Sequence, residues 1–152
     1  MSLTNVFSRK RLRYLLMAIA ALSLTVIAAC SFPTDEPIGE APPLITTTSG
    51  EAEIALAEHL ASLGAIKYGA YWCPHCHAQQ ALFGKEAFEK ITYVECDPSG
   101  QNPQTATCQA VGVESYPTWE IDGELYRGVQ PLETLATISQ YSGPTAFQNT
   151  GE

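Results

Sequence analysis

The chain has 152 residues, of which 45% are hydrophobic, and sixteen acidic residues against eight basic ones give it a net charge of −8. This length suits one compact domain and is short for two. The acidic balance argues against a nucleic-acid partner, because binding to phosphates requires basic patches.

The first 29 residues have the pattern of a secretory signal peptide. A basic cluster over 9–13 precedes an uncharged apolar run over 14–29. The run closes on the letters IAAC at 27–30, which resemble the lipobox of bacterial lipoproteins, so Cys30 is the predicted site of cleavage and lipidation. The alternative is an uncleaved anchor helix, since a span needs ~20 residues. Both interpretations attach the protein to a membrane by its N-terminus and place the remainder outside the cytoplasm, in the periplasm or an equivalent lumen.

Residues 30–50 are predicted to be a flexible tether, because they are rich in Pro, Thr, Gly and acidic residues and lack apolar periodicity. Cleavage at Cys30 would leave four basic residues against sixteen acidic ones, a net charge of −12. Residues 51–143 are predicted to form the folded domain. Residues 144–152 also lack periodicity and are predicted to be a disordered tail.

The folded domain is predicted to begin as helix, strand and helix. Leucines repeat at helical spacing over 51–63 and predict an amphipathic helix there. The mostly apolar stretch 65–72 follows as a strand. Pro74 suits the first turn of the next helix, because its missing N–H would have no partner there. That helix is predicted to run to about Lys90.

The second half of the domain is predicted to add three strands and two helices. The stretch 91–96 is β-branched and aromatic, as in strands, and 103–111 is predicted to be a short helix. Two strand-like runs meet at Asp122-Gly123, a pair that tolerates the positive φ of a tight hairpin turn. Pro131 opens a last helix. Strands separated by helices should pair in parallel, and the hairpin should add an antiparallel edge, which predicts an α/β fold.

The letters CPHC at 73–76 place two cysteines at the predicted start of the second helix. Unpaired backbone N–H groups and the positive end of the helix dipole favour a thiolate at Cys73, which is therefore the predicted nucleophile. Cys76 lies one turn further on and is predicted to resolve a mixed disulfide by attacking Cys73. His75 can add a positive charge beside the thiolate, and stabilising the reduced form makes the disulfide a stronger oxidant.

The stretches WCPHC at 72–76 and SYPTW at 115–119 resemble the thioredoxin superfamily, and Pro74-His75 matches the dipeptide of DsbA-type oxidases. More closely, KYGAYWCPHC, QALFG, YVEC and SYPTWEIDG are similar to the thioredoxin-like domain that is fused to, or works with, bacterial and plant homologues of vitamin K epoxide reductase. The resemblance covers about 65–141. It implies a thioredoxin-like fold with a mixed sheet of about four strands flanked by helices.

The resemblance also implies a thiol-disulfide oxidoreductase that passes electrons from substrate protein thiols to a quinone-linked membrane reductase. No further hydrophobic span follows Cys30, so a separate vitamin K epoxide reductase homologue is the expected partner. In that fold a cis proline faces the cysteines. Pro117 is the candidate, and its backbone with that of Tyr116 would dock the substrate, with Trp72 walling the site. The alternative is a trans proline that merely begins an edge strand.

Lys67 departs from the pattern that the resemblance implies. Thioredoxins and DsbA-like proteins usually carry a buried acid six residues before the first cysteine, and Lys67 occupies that position here. A lysine could lower the pKa of a thiol, yet it cannot serve as the same carboxylate base. The alternative is a side chain that reaches the surface along its aliphatic stem.

Four cysteines remain once Cys30 is assigned to lipidation, and an even count in an oxidising compartment indicates two disulfides. If Cys73 pairs with Cys76, then Cys96 pairs with Cys108. We interpret the second pair as a structural disulfide, with a second redox pair as the alternative.

Three other functions fit parts of the pattern. A membrane-anchored disulfide reductase would use the same couple in the opposite direction. A zinc or copper site could draw on Cys73, His75, Cys76 and His77, although a proline inside the pair suits thiol tuning better. A non-catalytic binding module would not need Pro117 and both cysteines intact. We therefore predict no metal and no cofactor.

Overall fold

A computed structural model describes residues 39–150 of the protein. The predicted signal peptide and the predicted lipidation site at Cys30 lie outside the described residues. Within the described range, none of the helices combines the length and the apolar character of a membrane span.

Helices and strands alternate along the described chain in nearly the predicted order. They are α1 (Glu51–Ser62), β1 (Ile66–Gly69), α2 (Pro74–Phe83), α3 (Lys85–Phe88), β2 (Thr92–Glu95), α4 (Thr105–Val111), β3 (Thr118–Ile121), β4 (Glu124–Arg127) and α5 (Leu132–Ile138).

One predicted helix is wrong in its extent, because Gly84 divides the stretch 74–90 into α2 and α3. Gly84 has φ 76°, in the region that favours glycine. A Cβ at this position would also lie 2.6 Å from the carbonyl carbon of Thr48. The break between α2 and α3 therefore leaves room for the backbone of the segment that precedes α1. Lys85 N donates a hydrogen bond to Thr47 O of this segment at 3.0 Å.

The four strands form one mixed sheet in the order β2-β1-β3-β4. β1 and β2 are parallel, whereas β3 is antiparallel to both β1 and β4. The hairpin turns at Asp122 and Gly123, with φ 52° and 79°. The predicted parallel pair, antiparallel edge and tight turn are confirmed, and with them the thioredoxin-like α/β fold class.

Apolar side chains pack on both faces of the sheet, because successive strand residues point to opposite faces. The larger cluster joins the sheet to α1, α2, α3 and α5, and its largest members are Trp119, Phe83, Leu56, Leu60, Ile121, Leu132 and Leu135. The smaller cluster joins β1 and β2 to α4 and contains Tyr68, Val94, Cys96 and Cys108. The sheet is thus held between two layers of helices.

The described parts of the predicted tether and tail make contacts with the domain. Glu40 N donates to Ser99 O at 2.8 Å, and Gln101 N donates to Glu40 O at 3.0 Å. The backbone N–H groups of 148–149 donate to Glu53 Oε1 in α1. Sequence patterning did not anticipate these contacts, because each is an isolated polar pairing with no periodicity.

Candidate active site

Cys73 and Cys76 lie at the N-terminus of α2 and, among the described cysteines, are the two with free thiols. Pro74 occupies the first helical turn, where its missing N–H costs no hydrogen bond. Cys73 is the N-cap residue, and its Sγ accepts a hydrogen bond from the backbone N–H of Cys76 at 3.3 Å. The sulfur therefore lies where the helix presents unpaired N–H groups, an arrangement that stabilises negative charge.

The two cysteines differ in access. Cys73 is 4% exposed and borders the exposed residues Trp72, Pro74 and His75, whereas Cys76 is fully buried. Burial raises the pKa of the Cys76 thiol to about 12. Cys73 is thus the sulfur at the edge of the surface, and Cys76 is a protonated thiol beneath it.

The loop before β3 faces the dithiol. The Tyr116–Pro117 peptide bond is cis, so the alternative of a trans proline is wrong. Tyr116 O accepts a hydrogen bond from Cys73 Sγ at 3.7 Å. The Tyr116 ring packs edge-on against the Trp72 ring, with centroids 6.3 Å apart. The structure therefore brings together Cys73 and the three residues expected to contact substrate.

Trp72 is 53% exposed beside the dithiol, and a hydrogen bond fixes its indole. Its Nε1 donates to Asp97 Oδ2 at 2.8 Å, and this bond is the main reason that the pKa of Asp97 is lowered. Asp97 is not among the predicted site residues, because it follows β2 and only the fold brings it near Trp72. The aromatic surface beside Cys73 is therefore positioned in advance of substrate.

The two histidines of the motif have different surroundings. His75 is exposed beside the cysteines. His77 is partly buried, and its Nε2 lies 2.6 Å from Tyr71 O, to which it can donate. Within residues 39–150, no three His, Cys, Asp or Glu side chains are grouped closely enough to hold a metal ion.

Cys96 and Cys108 form a disulfide with their Cα atoms 5.8 Å apart, as the cysteine count indicates. Both residues are buried in the smaller apolar cluster. Cys96 N donates to Gly69 O at 2.8 Å, which continues the pairing of β1 and β2 by one residue. The bond therefore fastens α4 to the end of β2.

Lys67 is fully buried, so the alternative in which its side chain reaches the surface is wrong. Its Nζ lies 4.8 Å from the centroid of the Tyr93 ring and 5.2 Å from that of Phe88, and it has no hydrogen-bond partner among the described residues. Burial lowers the pKa of Lys67 from 10.5 to about 8, and the opposing influence comes first from Cys76, then from Cys73 and Glu95. The pKa of the Lys67 amine therefore depends on the charge of the two cysteines.

Glu95 is a second buried ionisable group near the dithiol, and it is not among the predicted site residues. Its Oε2 accepts from the Tyr93 hydroxyl at 2.7 Å. Gly69 lies opposite Glu95 in the parallel register, and a Cβ there would approach Cys76 Sγ to 2.9 Å and the Tyr93 ring to 3.0 Å. The missing side chain at Gly69 therefore lets Cys76 and Tyr93 come together. Sequence alone does not reveal this contact, because the alternation of strand residues places Gly69 beside Glu95 only once the register of β1 and β2 is known.

Changing Lys67 to methionine is expected to raise the free energy of unfolding of the reduced protein at pH 7 by up to ~3 kcal/mol, since each unit of pKa shift is worth ~1.4 kcal/mol. Below about pH 8 the lysine is protonated in both states, and the folded chain bears the whole cost of a buried charge. Between pH 8 and 10.5 the unfolded chain binds more protons, so the wild type gains stability and the difference shrinks.

Urea unfolding of both proteins from pH 6 to 10 measures this difference. Lys85→Met, at an exposed lysine in α3, is the matched control and should show no such pH dependence. A difference that does not change with pH, or a wild type that is the more stable protein at pH 7, would contradict the account of Lys67.

The fold and the site together define a thioredoxin-like α/β protein with a Cys-x-x-Cys dithiol at a helix N-terminus. No family model matches the chain. The chain is 41% identical over 101 residues to a curated protein of Arabidopsis thaliana, the thiol-disulfide oxidoreductase LTO1. The matched region covers 64% of this chain and 27% of LTO1, so the chain spans about a quarter of that relative's length.

Proposed function

We propose that the protein is an extracytoplasmic thiol-disulfide oxidoreductase whose redox couple is Cys73–Cys76. The observation that carries the proposal is the position of Cys73 Sγ, which caps α2 and keeps 4% exposure beside exposed neighbours, whereas Cys76 is fully buried. The similarity to a protein named as a thiol-disulfide oxidoreductase supports the same activity. The favoured direction is oxidation of substrate protein thiols.

The reaction moves two electrons from the substrate to the cysteine pair. A substrate thiolate attacks Cys73 Sγ of the oxidised protein, the Cys73–Cys76 bond breaks, and Cys76 leaves as a thiolate that takes up a proton. A second substrate thiolate then attacks the substrate sulfur of the mixed disulfide. The substrate leaves with a disulfide, and Cys73 leaves as a thiolate. The N-terminus of α2 stabilises that leaving thiolate, which favours this direction.

The groups that surround Cys73 would bind the substrate. The backbone of Tyr116 and Pro117 would hold an extended chain beside the sulfur, in place of the contact that Tyr116 O now makes with Cys73. The exposed indole of Trp72 would cover apolar side chains of the same segment. An unfolded chain with exposed cysteines offers both features.

The proposed location rests on the N-terminal sequence, with Cys30 lipidated or the apolar run kept as an anchor helix. The Cys96–Cys108 disulfide supports an oxidising compartment, where such bonds persist. The proposed electron acceptor is a membrane-embedded, quinone-linked homologue of vitamin K epoxide reductase. Its disulfide would be attacked by the Cys73 thiolate, and Cys76 would then release the partner as a dithiol.

The reduction potential of Cys73–Cys76 tests the direction of the reaction. Equilibration against glutathione should give a value of about −120 mV, the range of strongly oxidising dithiol couples. The oxidised protein should also introduce disulfides into reduced, unfolded ribonuclease. A value of about −270 mV would favour the reductase instead. Stoichiometric zinc in the purified reduced protein, with no exchange activity, would overturn the proposal.

A further inference from the structure

The reaction above requires Cys76 to exchange a proton while it is closed off from solvent. Cys76 is fully buried, and its thiol must be deprotonated each time it attacks Cys73. We propose that Lys67 exchanges this proton with Cys76, in the place where thioredoxins carry a carboxylate. This inference rests on the proposed function and concerns the proton route of the same site.

The amine of Lys67 is packed against two aromatic rings and makes no hydrogen bond with the described residues. The groups around it are Cys76 in α2, Cys73 at the N-cap of that helix, Glu95 and Tyr93 in β2 and the Phe88 ring in α3. Trp119 of β3 is the partner of Lys67 in the antiparallel register. The Glu95 carboxylate already accepts from the Tyr93 hydroxyl and from the backbone N–H of Asp97. Lys67 Nζ itself has no hydrogen-bond partner among the described residues.

No direct hydrogen bond joins the two groups, so the proposed transfer runs through one intervening water. Lys67 Nζ has no hydrogen-bond partner among the described residues, Cys76 Sγ included. A single water is a sufficient bridge for proton transfer between a base and an acid. Phe88 and Tyr93, whose rings cover Nζ, also line a surface groove, so the amine lies one layer of side chains from solvent.

Burial makes the two groups suited to exchange a proton with each other. It raises the pKa of Cys76 and lowers that of Lys67, so each group is neutral more often than it would be in water. Transfer from the thiol to the amine creates two opposite charges that attract strongly at low dielectric. If the proton were instead released to distant solvent, the buried thiolate would have no positive charge beside it.

Each half of the redox cycle uses one transfer. When Cys73 is in a mixed disulfide with the electron acceptor, Cys76 gives its proton to the neutral Lys67 amine, and the Cys76 thiolate attacks Cys73 Sγ. The acceptor's sulfur leaves as a thiolate, and Lys67 remains as an ammonium ion. When substrate thiolate later breaks the Cys73–Cys76 bond, Lys67 returns its proton to the departing Cys76 sulfur.

The test is a single turnover of the reduced protein with a small aromatic disulfide that releases one chromophore at each step. The first release reports attack by Cys73, and the second reports resolution by Cys76. Lys67→Met is expected to slow the second release by ~100-fold or more, the usual contribution of a positioned proton acceptor. The first release should stay close to the wild-type rate, and Lys85→Met should leave both releases unchanged.

Lys67→Arg separates proton transfer from simple charge. Arginine keeps the positive charge but cannot lose its proton in proteins. We expect this variant to be as slow in the second release as Lys67→Met, and recovery of the wild-type rate would overturn the inference. Urea unfolding establishes that both variants are folded.

The wild-type pH profile gives a second measurement that needs no substitution at Lys67. The second release should rise through about pH 8 and then level off, as the amine loses its proton. Glu95→Gln should move this midpoint to lower pH, because the Glu95 charge holds the pKa of Lys67 up. An unmoved midpoint would overturn the inference. A wild type that shows neither release would instead contradict the proposed function.

Discussion

Replacing Cys73 by alanine is expected to abolish disulfide exchange, with a loss of about a thousandfold or more, as is usual when a nucleophile is removed. Cys76 cannot take over, because it is fully buried and its pKa is raised to about 12. Cys96 and Cys108 cannot take over either, since they are bonded to each other within the core. The rate of disulfide formation in reduced ribonuclease measures the loss.

Cys76→Ser is the matched control, because it removes the other sulfur of the same pair. Cys73 Sγ would keep its hydrogen bond from the backbone N–H at position 76, so the first attack should persist. Resolution should fail. When the variant is mixed with the small aromatic disulfide used above, Cys73 should attack it, release one half as a thiolate and keep the other half as a mixed disulfide that mass spectrometry can count. Turnover by Cys73→Ala, or an adduct formed at Cys76 in that variant, would reverse the assignment of the nucleophile.

The fold was predictable where local chemistry sets it. Asp122-Gly123 specifies a hairpin turn through positive φ, and Pro74 specifies a helix start through its missing N–H. The break at Gly84 was not predictable in this way. It depends on the close approach of Thr48, which lies far away in sequence, and glycine within an otherwise helical stretch has several explanations.

The site shows the same division between local and tertiary causes. Cys73 and Cys76 could be placed from the motif and its helix start, and Pro117 from its resemblance to the proline of related proteins. The burial of Lys67 and the roles of Glu95 and Asp97 could not, because they depend on strand register and on a loop contact. A charged residue in a strand gives no sequence sign of whether it faces solvent or the core.

Removal of the Cys96–Cys108 disulfide, with both residues changed to alanine, is expected to lower the free energy of unfolding by ~3 kcal/mol. The bond joins residues 12 positions apart and so restricts the unfolded chain. In the folded state it ties the short helix α4 to β2, where Thr105 Oγ1 also donates to Cys96 O at 3.0 Å. Urea unfolding at constant pH measures the change.

Exchange at Cys73 should survive the loss of this disulfide, because the two pairs lie in separate buried clusters. Cys73 and Cys76 pack with Ala70 in a third cluster, and Tyr116 lies against both this cluster and the one that holds Cys96 and Cys108. A relay would need the sulfurs of Cys96 and Cys108 to meet those of the dithiol, yet both are enclosed by apolar side chains. The control changes Cys73 and Cys76 together to alanine. A bridge between these two residues closes only a very short loop. This double change should therefore alter the free energy of unfolding much less than the loss of Cys96–Cys108. A folded Cys96/Cys108 variant without turnover would assign the second pair to electron transfer, since stability alone would not explain the loss.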